Sequence, residues 1–304
     1  VDFLMIYLLL LVLILVGVGF FTLLERKILS YINNRKGPNK VGLMGLGQPI
    51  SDGVKLFGKE SEIPYMSIFG VFIFSPILIF FLSLMMWVCL PMWNHFFDFE
   101  YGLLFFLCLT GLSVYALIFS GWSSNSKYAI YGSYRGVAQT ISYEVSLALI
   151  MLSFVFMFGS YNLECCSKFQ DYVWMFLLVM PLGMIWFVSS LAETSRTPFD
   201  FTEGESELVS GFNIEYSGFF FAMIFIGEYA SIMFMSNLYV ILFLGGISNF
   251  YMLKVLMMIY IFILIRGTLP RFRYDNLMYL AWKIYLPISI NFLVFFLGFK
   301  SMMV

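Results

Sequence analysis

The sequence predicts an all-α integral membrane protein of about eight transmembrane helices, with an interfacial amphipathic helix and long loops on one face. Three observations carry this. Of 304 residues, 61% are hydrophobic and only 12% are charged. Mean hydropathy is +0.91, outside the range of soluble domains, which could not hide that much apolar surface. Several stretches also reach the roughly 20 apolar residues that a helix needs to cross about 30 Å of hydrocarbon.

Apolar windows place the spans near 3–24, 66–92, 102–122, 138–160, 172–192, 217–237, 249–265 and 284–300. The first lacks a basic n-region and reads as a membrane helix, not a cleaved address. Lys254 interrupts the seventh, and the eighth holds only 16 uncharged residues, so both call for snorkelling or bilayer thinning. Fourteen of the 17 Lys and Arg fall in connections 1–2, 3–4, 5–6 and 7–8, leaving Lys168, Lys254 and Lys300 opposite. The positive-inside rule therefore assigns the loop-rich face to the matrix or cytoplasm. No internal repeat and no Pro/Gly/Ser linker divides the chain, so residues 1–304 read as one membrane domain.

Composition also excludes chemistry. Cys89, Cys108, Cys165 and Cys166 lack the spacing of an iron–sulfur or zinc site and read as small hydrophobes. His95 is the only histidine, which rules out paired axial haem ligands. No metal and no bound redox cofactor is expected; an electron carrier must sit on a partner or arrive as a diffusible substrate.

The first connection carries Glu25, Arg26 and Lys27, then Arg35, Lys36 and Lys40, then a segment from Gln48 to Glu60. Pro49 suits a first helical turn, and Ile50, Val54 and Phe57 share a face away from Asp52, Lys55 and Lys59. Such a helix lies along the membrane surface, either as an anchor whose cations hold anionic lipid or as a substrate gate. Nucleic acid is excluded by so short a basic run between membrane spans.

Connection 5–6 holds Glu193, Asp200, Glu203, Glu205, Glu207 and Glu215 against a single Arg196. Pro198 argues against a continuous helix, and Phe199, Phe201 and Phe212 interleave the acids, so the loop reads as lining a cavity. Clustered carboxylates repel one another and rise toward neutral pKa values, which suits proton uptake more than a solvated docking face. Glu144 and Glu228 lie inside apolar runs, where ionisable groups mark relays, although a hydrogen-bonded glutamic acid is the structural alternative. Arg266, Arg271, Arg273 and Asp275 in the last connection either counter the acidic loop or snorkel to headgroups. Gly132 and Gly136 form only a weak helix-packing motif because Arg135 stands between them.

The segments LLERKILSYINNRKGPNKVGLMGLGQPISDGVKLFGKE, VAQTISYEVSLAL, AETSRTPFDFTEGESELVSGFNIEYSG and RGTLPRFRYDNLMYLAWK, in that order, resemble the subunit 1 family of mitochondrial NADH:ubiquinone oxidoreductase. The resemblance covers essentially the whole chain. It departs from the usual pattern at Ser30, Asn33, Gly58, Tyr134, Gly136 and Ser195, none of which removes a charged motif residue. It implies an eight-helix subunit of a proton-pumping complex in the mitochondrial inner membrane, main loops on the matrix side, forming most of the ubiquinone access channel. The isoprenoid tail would thread between the first and sixth spans and the surface helix.

The resemblance further implies Glu25, Arg26, Arg35, Asp52, Lys55, Phe57, Glu60, Arg196, Phe199, Phe212, Arg271 and Arg273 along the channel. Glu144, Glu193, Asp200, Glu203, Glu205, Glu207 and Glu228 would form a proton path, with Arg135 a basic cavity residue. The active site is then incomplete in this chain alone. Ubiquinone is substrate, while NADH, flavin and iron–sulfur clusters belong to partners. Those partners are peripheral-arm subunits with the terminal cluster and quinone headgroup site, antiporter-like and small membrane-arm subunits, and anionic lipid such as cardiolipin. Hydrogenase membrane anchors share this architecture. A lone ion transporter is disfavoured by the lack of repeats, and a purely structural anchor by Glu144 and Glu228.

Overall fold

The computed structural model describes residues 2–91, 99–170, 172–204, 208–246 and 250–303. His95, Glu205 and Glu207 lie outside them. Every regular element among the described residues is helical. The order is α1 (Asp2–Ile32), α2 (Gln48–Gly58), α3 (Phe69–Met86), α4 (Gly102–Ser123), α5 (Lys127–Phe158), α6 (Leu163–Phe169), α7 (Met175–Leu178), α8 (Met180–Glu193), α9 (Gly218–Phe243), α10 (Tyr251–Thr268), α11 (Tyr274–Tyr279) and α12 (Leu286–Met303).

Among the described residues, seven helical stretches are long and apolar enough to cross a membrane: Met5–Ile32, Phe69–Cys89, Gly102–Ser123, Lys127–Phe158, Gly218–Phe243, Tyr251–Thr268 and Tyr274–Met302. The predicted fifth span, 172–192, differs. It is built as α7 and α8, broken at Val179, whose φ of −130° and ψ of 50° leave the helical region. Pro181 follows two residues later, where it removes an N–H donor and suits the first turn of a new helix. The segment belongs to the core nonetheless: Leu182 and Trp186 are fully buried.

Several helices outrun their predicted limits. α1 continues past Leu24, so Glu25, Arg26 and Lys27 are helical and not in a loop. α5 spans 32 residues, about 48 Å at 1.5 Å per residue, which carries its N-terminal turns beyond the hydrocarbon. It stops at Gly159, a left-handed C-cap with φ of 74°.

Lys254, which interrupts the predicted seventh span, is accommodated within the fold. Lys254 donates to the Leu244 carbonyl at 2.6 Å and lies over the Trp174 ring. Lys283 falls in a π-helical stretch, Leu280–Tyr285, which joins α11 to α12; its ammonium stands 4.2 Å from the Tyr279 ring centre. The eighth span is thereby part of one continuous 29-residue helix.

α9 is the central post. All its residues from Ile232 to Phe243 are buried, and it packs against α1, α2, α3 and α10. The chain continues around it through α3–α4, α4–α5, and then α5 against α8 and α12. α2 is tied down at both ends: Pro49 abuts Gly19 of α1, and the Phe57 ring lies 5.7 Å from Phe219 at the start of α9. Gly218 has φ of +55°, and a Cβ there would meet the Lys59 and Glu60 carbonyls at 3.0 and 3.1 Å, so only glycine allows this junction.

The face of α5 carrying Gly132 and Gly136 receives a loop, not a helix. A Cβ on Gly132 would lie 2.9 Å from Gly211 Cα and 3.0 Å from the Thr202 carbonyl, and one on Gly136 would overlap the Thr202 methyl. The acidic connection is thus packed down onto α5.

Candidate functional site

The sequence brings most of its buried charge to one place, where α1, α9, α10 and the turn after α8 converge. Glu25 is 6% exposed. It is ion-paired with Arg266 of α10 and accepts a 2.6 Å hydrogen bond from the Tyr229 hydroxyl of α9. Glu228, the preceding residue on α9, accepts from Arg196 at 3.3 Å. The Arg196 guanidinium carbon also stands 4.5 Å from the Tyr229 ring centre. Tyr229 therefore joins two ion pairs through opposite ends of one side chain, its hydroxyl to Glu25 and its ring to Arg196. Burial pulls against the Arg196 charge, but Glu228, Tyr229, Glu25 and Glu203 surround it and hold the guanidinium above its ordinary pKa.

The cluster opens onto a cavity of about 80 Å³, space for several waters. Glu228 and Glu193 both line it, with Ser83, Ser113, Thr194, Ser195 and Ser231 among hydrophobic neighbours that include Phe212. Beyond it, Glu144 hydrogen-bonds Thr110 of α4 and lies close enough to Glu193 for mutual repulsion. Its carboxylate approaches the surface of α4 at Gly111. Glu25, Arg196, Glu228, Glu193 and Glu144 thus form a string of ionisable groups, with the cavity between Glu228 and Glu193.

The acidic connection is only partly uncompensated. Asp200 pairs with Arg271 at 3.2 Å, and Glu203 accepts from the Asn213 amide at 3.0 Å. Burial raises the Glu203 carboxyl above the usual range; the Arg196 charge opposes this and Asp200 adds to it. Phe199 is buried against Phe272 and Tyr143, and Phe212 packs with Phe72 and Tyr216. Tyr216 closes the segment by hydrogen-bonding Ser75 at 2.8 Å and stacking on Phe72.

At the surface end, Arg26 donates to Asp52 at 2.6 Å, and Gln48 donates to the other oxygen at 2.8 Å. Arg26, Ser30, Arg35 and Lys36 line an open hollow of about 590 Å³. Lys55 and Glu60 are exposed, and the apolar face of α2 points outward, with Ile50 and Val54 more than 65% exposed. Arg273 pairs with Asp275 at the surface and does not join the buried cluster. Arg135 is partly buried and faces Tyr274 of α11.

The residues predicted for a channel and for a proton path are not separate in space: Glu25 and Arg196 of the first group share one cluster with Glu228 of the second. Of the arginines read either as counter-charges to the acidic loop or as headgroup anchors, Arg266 pairs with Glu25 of α1 while its charge also acts on Glu203, and Arg271 pairs with Asp200. Tyr229, Gln139, Asn213 and the serines of the cavity went unpredicted. A buried carboxamide in the apolar run after Val137 was the one readable signal among them.

A profile of the NADH dehydrogenase family matches residues 4–297. The chain is similar to NADH-ubiquinone oxidoreductase chain 1 of Anopheles gambiae, 58% identical over 96% of this chain and 94% of that one. It is 56% identical to the protein of the same name from Locusta migratoria over 97% of this chain and 95% of that one. With that of Osphranter rufus it shares 51% identity, covering 94% and 92%.

The raised Glu203 carboxyl gives a pH prediction. Above the ordinary carboxylate range the folded protein keeps a proton there that the unfolded chain has released, so stability falls as pH rises through that window. Glu203→Gln flattens this slope, measured as the thermal midpoint of the detergent-extracted protein across pH.

Proposed function

This chain belongs to the NADH dehydrogenase family of NADH-ubiquinone oxidoreductase chain 1, and from that membership we propose that it guides ubiquinone to its reduction site and carries the resulting protonation change through the bundle. It is a multi-pass membrane subunit of the oxidoreductase complex. Its place is the mitochondrial inner membrane, with the basic connections on the matrix side, a sidedness supported by the lysine and arginine bias.

The observation that carries the reading is the string from Glu25 through Tyr229, Arg196 and Glu228 to the cavity, Glu193 and Glu144. Ionisable groups are costly inside a membrane bundle, and a packed anchor has no need of five in series. Reduction of a quinone to a quinol takes two electrons and two protons. The electrons come from iron–sulfur clusters on peripheral-arm partners, which receive them from NADH through flavin. Proton consumption at the matrix-side headgroup site changes the charge facing Arg196, and the carboxylates beyond it relay the change toward the antiporter-like subunits. The isoprenoid tail runs along the seam of α1, α2 and α9, supported by the outward apolar face of α2 and its anchorage on both helices. Anionic lipid such as cardiolipin fits the cations at Arg35 and Lys36.

Glu144→Gln preserves shape and hydrogen bonding while removing the titratable proton. Proton translocation per NADH oxidised falls in the assembled complex while assembly is retained, measured in reconstituted vesicles; full pumping would end the relay reading. A photoreactive ubiquinone analogue labels residues 25–60 or 193–216 in competition with excess ubiquinone. Label confined to other subunits would remove the tail path from this chain.

A further inference from the structure

One buried side chain is unaccounted for by the string of ionisable groups. Gln139 of α5 is fully buried, where a carboxamide is costly unless its hydrogen bonds are met. Its position follows Gly132 and Gly136 along one face, successive turns of the helix that seats the acidic connection. The two N–H bonds of its amide are both used: Nε2 donates to the Ala192 carbonyl at 2.7 Å and to the Phe199 carbonyl at 2.8 Å. The amide cannot be reversed, because its oxygen would then oppose two carbonyl oxygens.

Those two carbonyls bracket the turn that presents Arg196. Ala192 lies in the last turn of α8, and Phe199 follows Pro198. The Arg196 N–H donates to the carbonyl of Leu191, just before the turn, and the Arg196 carbonyl accepts from the Phe199 N–H at 2.8 Å. The side chain emerges from this closed turn to reach Glu228 and the Tyr229 ring. Gln139 Oε1 is buried without a hydrogen-bond partner. A methionine would fill the same volume without burying polar atoms, so packing alone does not account for an amide here.

We infer that Gln139 is a positioning residue, whose carboxamide staples the two ends of the 192–199 turn and thereby sets Arg196 against Glu228. The inference rests on the proton-relay reading of that pair. It assigns Gln139 no contact with quinone and no proton of its own to transfer.

The test is Gln139→Met in the assembled complex, which keeps length and volume and removes both donors. Glu228→Gln and the double variant run in parallel, each normalised to the amount of assembled complex. Loss of two neutral hydrogen bonds lowers NADH-driven proton translocation by roughly threefold to tenfold. It also moves the pH profile upward, since Arg196 then compensates its neighbours less well. The groups that face it are Glu228 and Tyr229 from α9, Glu25 from α1 and Glu203 from the connection, with Arg266 of α10 close to the same cluster. If Gln139 acts through the pair, the double variant is no worse than Glu228→Gln alone. An unchanged pH profile and rate for Gln139→Met, or losses that multiply in the double variant, would overturn the inference. An impaired Glu228→Gln beside a normal Gln139→Met refutes the positioning role alone, whereas a fully coupled Glu228→Gln refutes the relay reading on which it rests.

Discussion

A guanidinium held inside an apolar helix bundle must be surrounded by acceptors, and Arg196 sets that condition for the rest of this structure. Glu228 meets it directly, the Tyr229 ring faces it, and Glu25 and Glu203 lie near enough to hold its charge. The acceptors need partners in turn: Glu25 is closed by Arg266 and the Tyr229 hydroxyl, and Glu203 by Asn213. Removing one member of a buried pair generally costs about 3–5 kcal/mol because the other is left uncompensated. The network thereby ties α1, α9, α10 and the turn after α8 into one electrostatic unit, and a change of charge at any member is felt by the others.

That unit explains why the acidic connection is packed as it is. A solvated loop could not hold carboxylates at fixed distances from Arg196. Here Gly132 and Gly136 let the backbone lie against α5, Gln139 staples one turn, Asp200 is held by Arg271, and Tyr216 pins the far end between α3 and α4. The cavity lies on the other side of Glu228, so the pair stands between the surface end at α2 and the glutamates beyond, Glu193 and Glu144. Glu228 and Glu193 both line that cavity, and Glu193 in turn is close enough to Glu144 to feel its charge.

Much of this was legible in the residues. The all-helical membrane fold follows from hydropathy, and the part-buried Glu144 and Glu228 announce themselves as charges in apolar runs. The surface helix after Pro49 was readable from the spacing of Ile50, Val54 and Phe57. What hydropathy could not show was the break at Val179, which depends on a single backbone conformation before Pro181. Nor could it show that the eighth span continues from α11 through a π-helical stretch, in which Lys283 stays exposed beside the Tyr279 ring. Pairing was the least legible level. Arg266 and Glu25 are 241 residues apart, and no local pattern distinguishes a partner on α1 from one in the acidic connection. Gln139 shows itself only as an uncharged carboxamide in an apolar run, and its meaning lies in two carbonyls more than 50 residues away.

The proposed relay requires Glu228 and its neighbours to change protonation when quinone is reduced. Infrared difference spectroscopy of the assembled complex, recorded on ubiquinone reduction in light and heavy water, reads this directly. A protonated-carboxyl band that appears on reduction, shifts in heavy water and is lost in Glu228→Gln is the predicted result. A reduction spectrum with no carboxyl band, or one unchanged by that substitution, would contradict it.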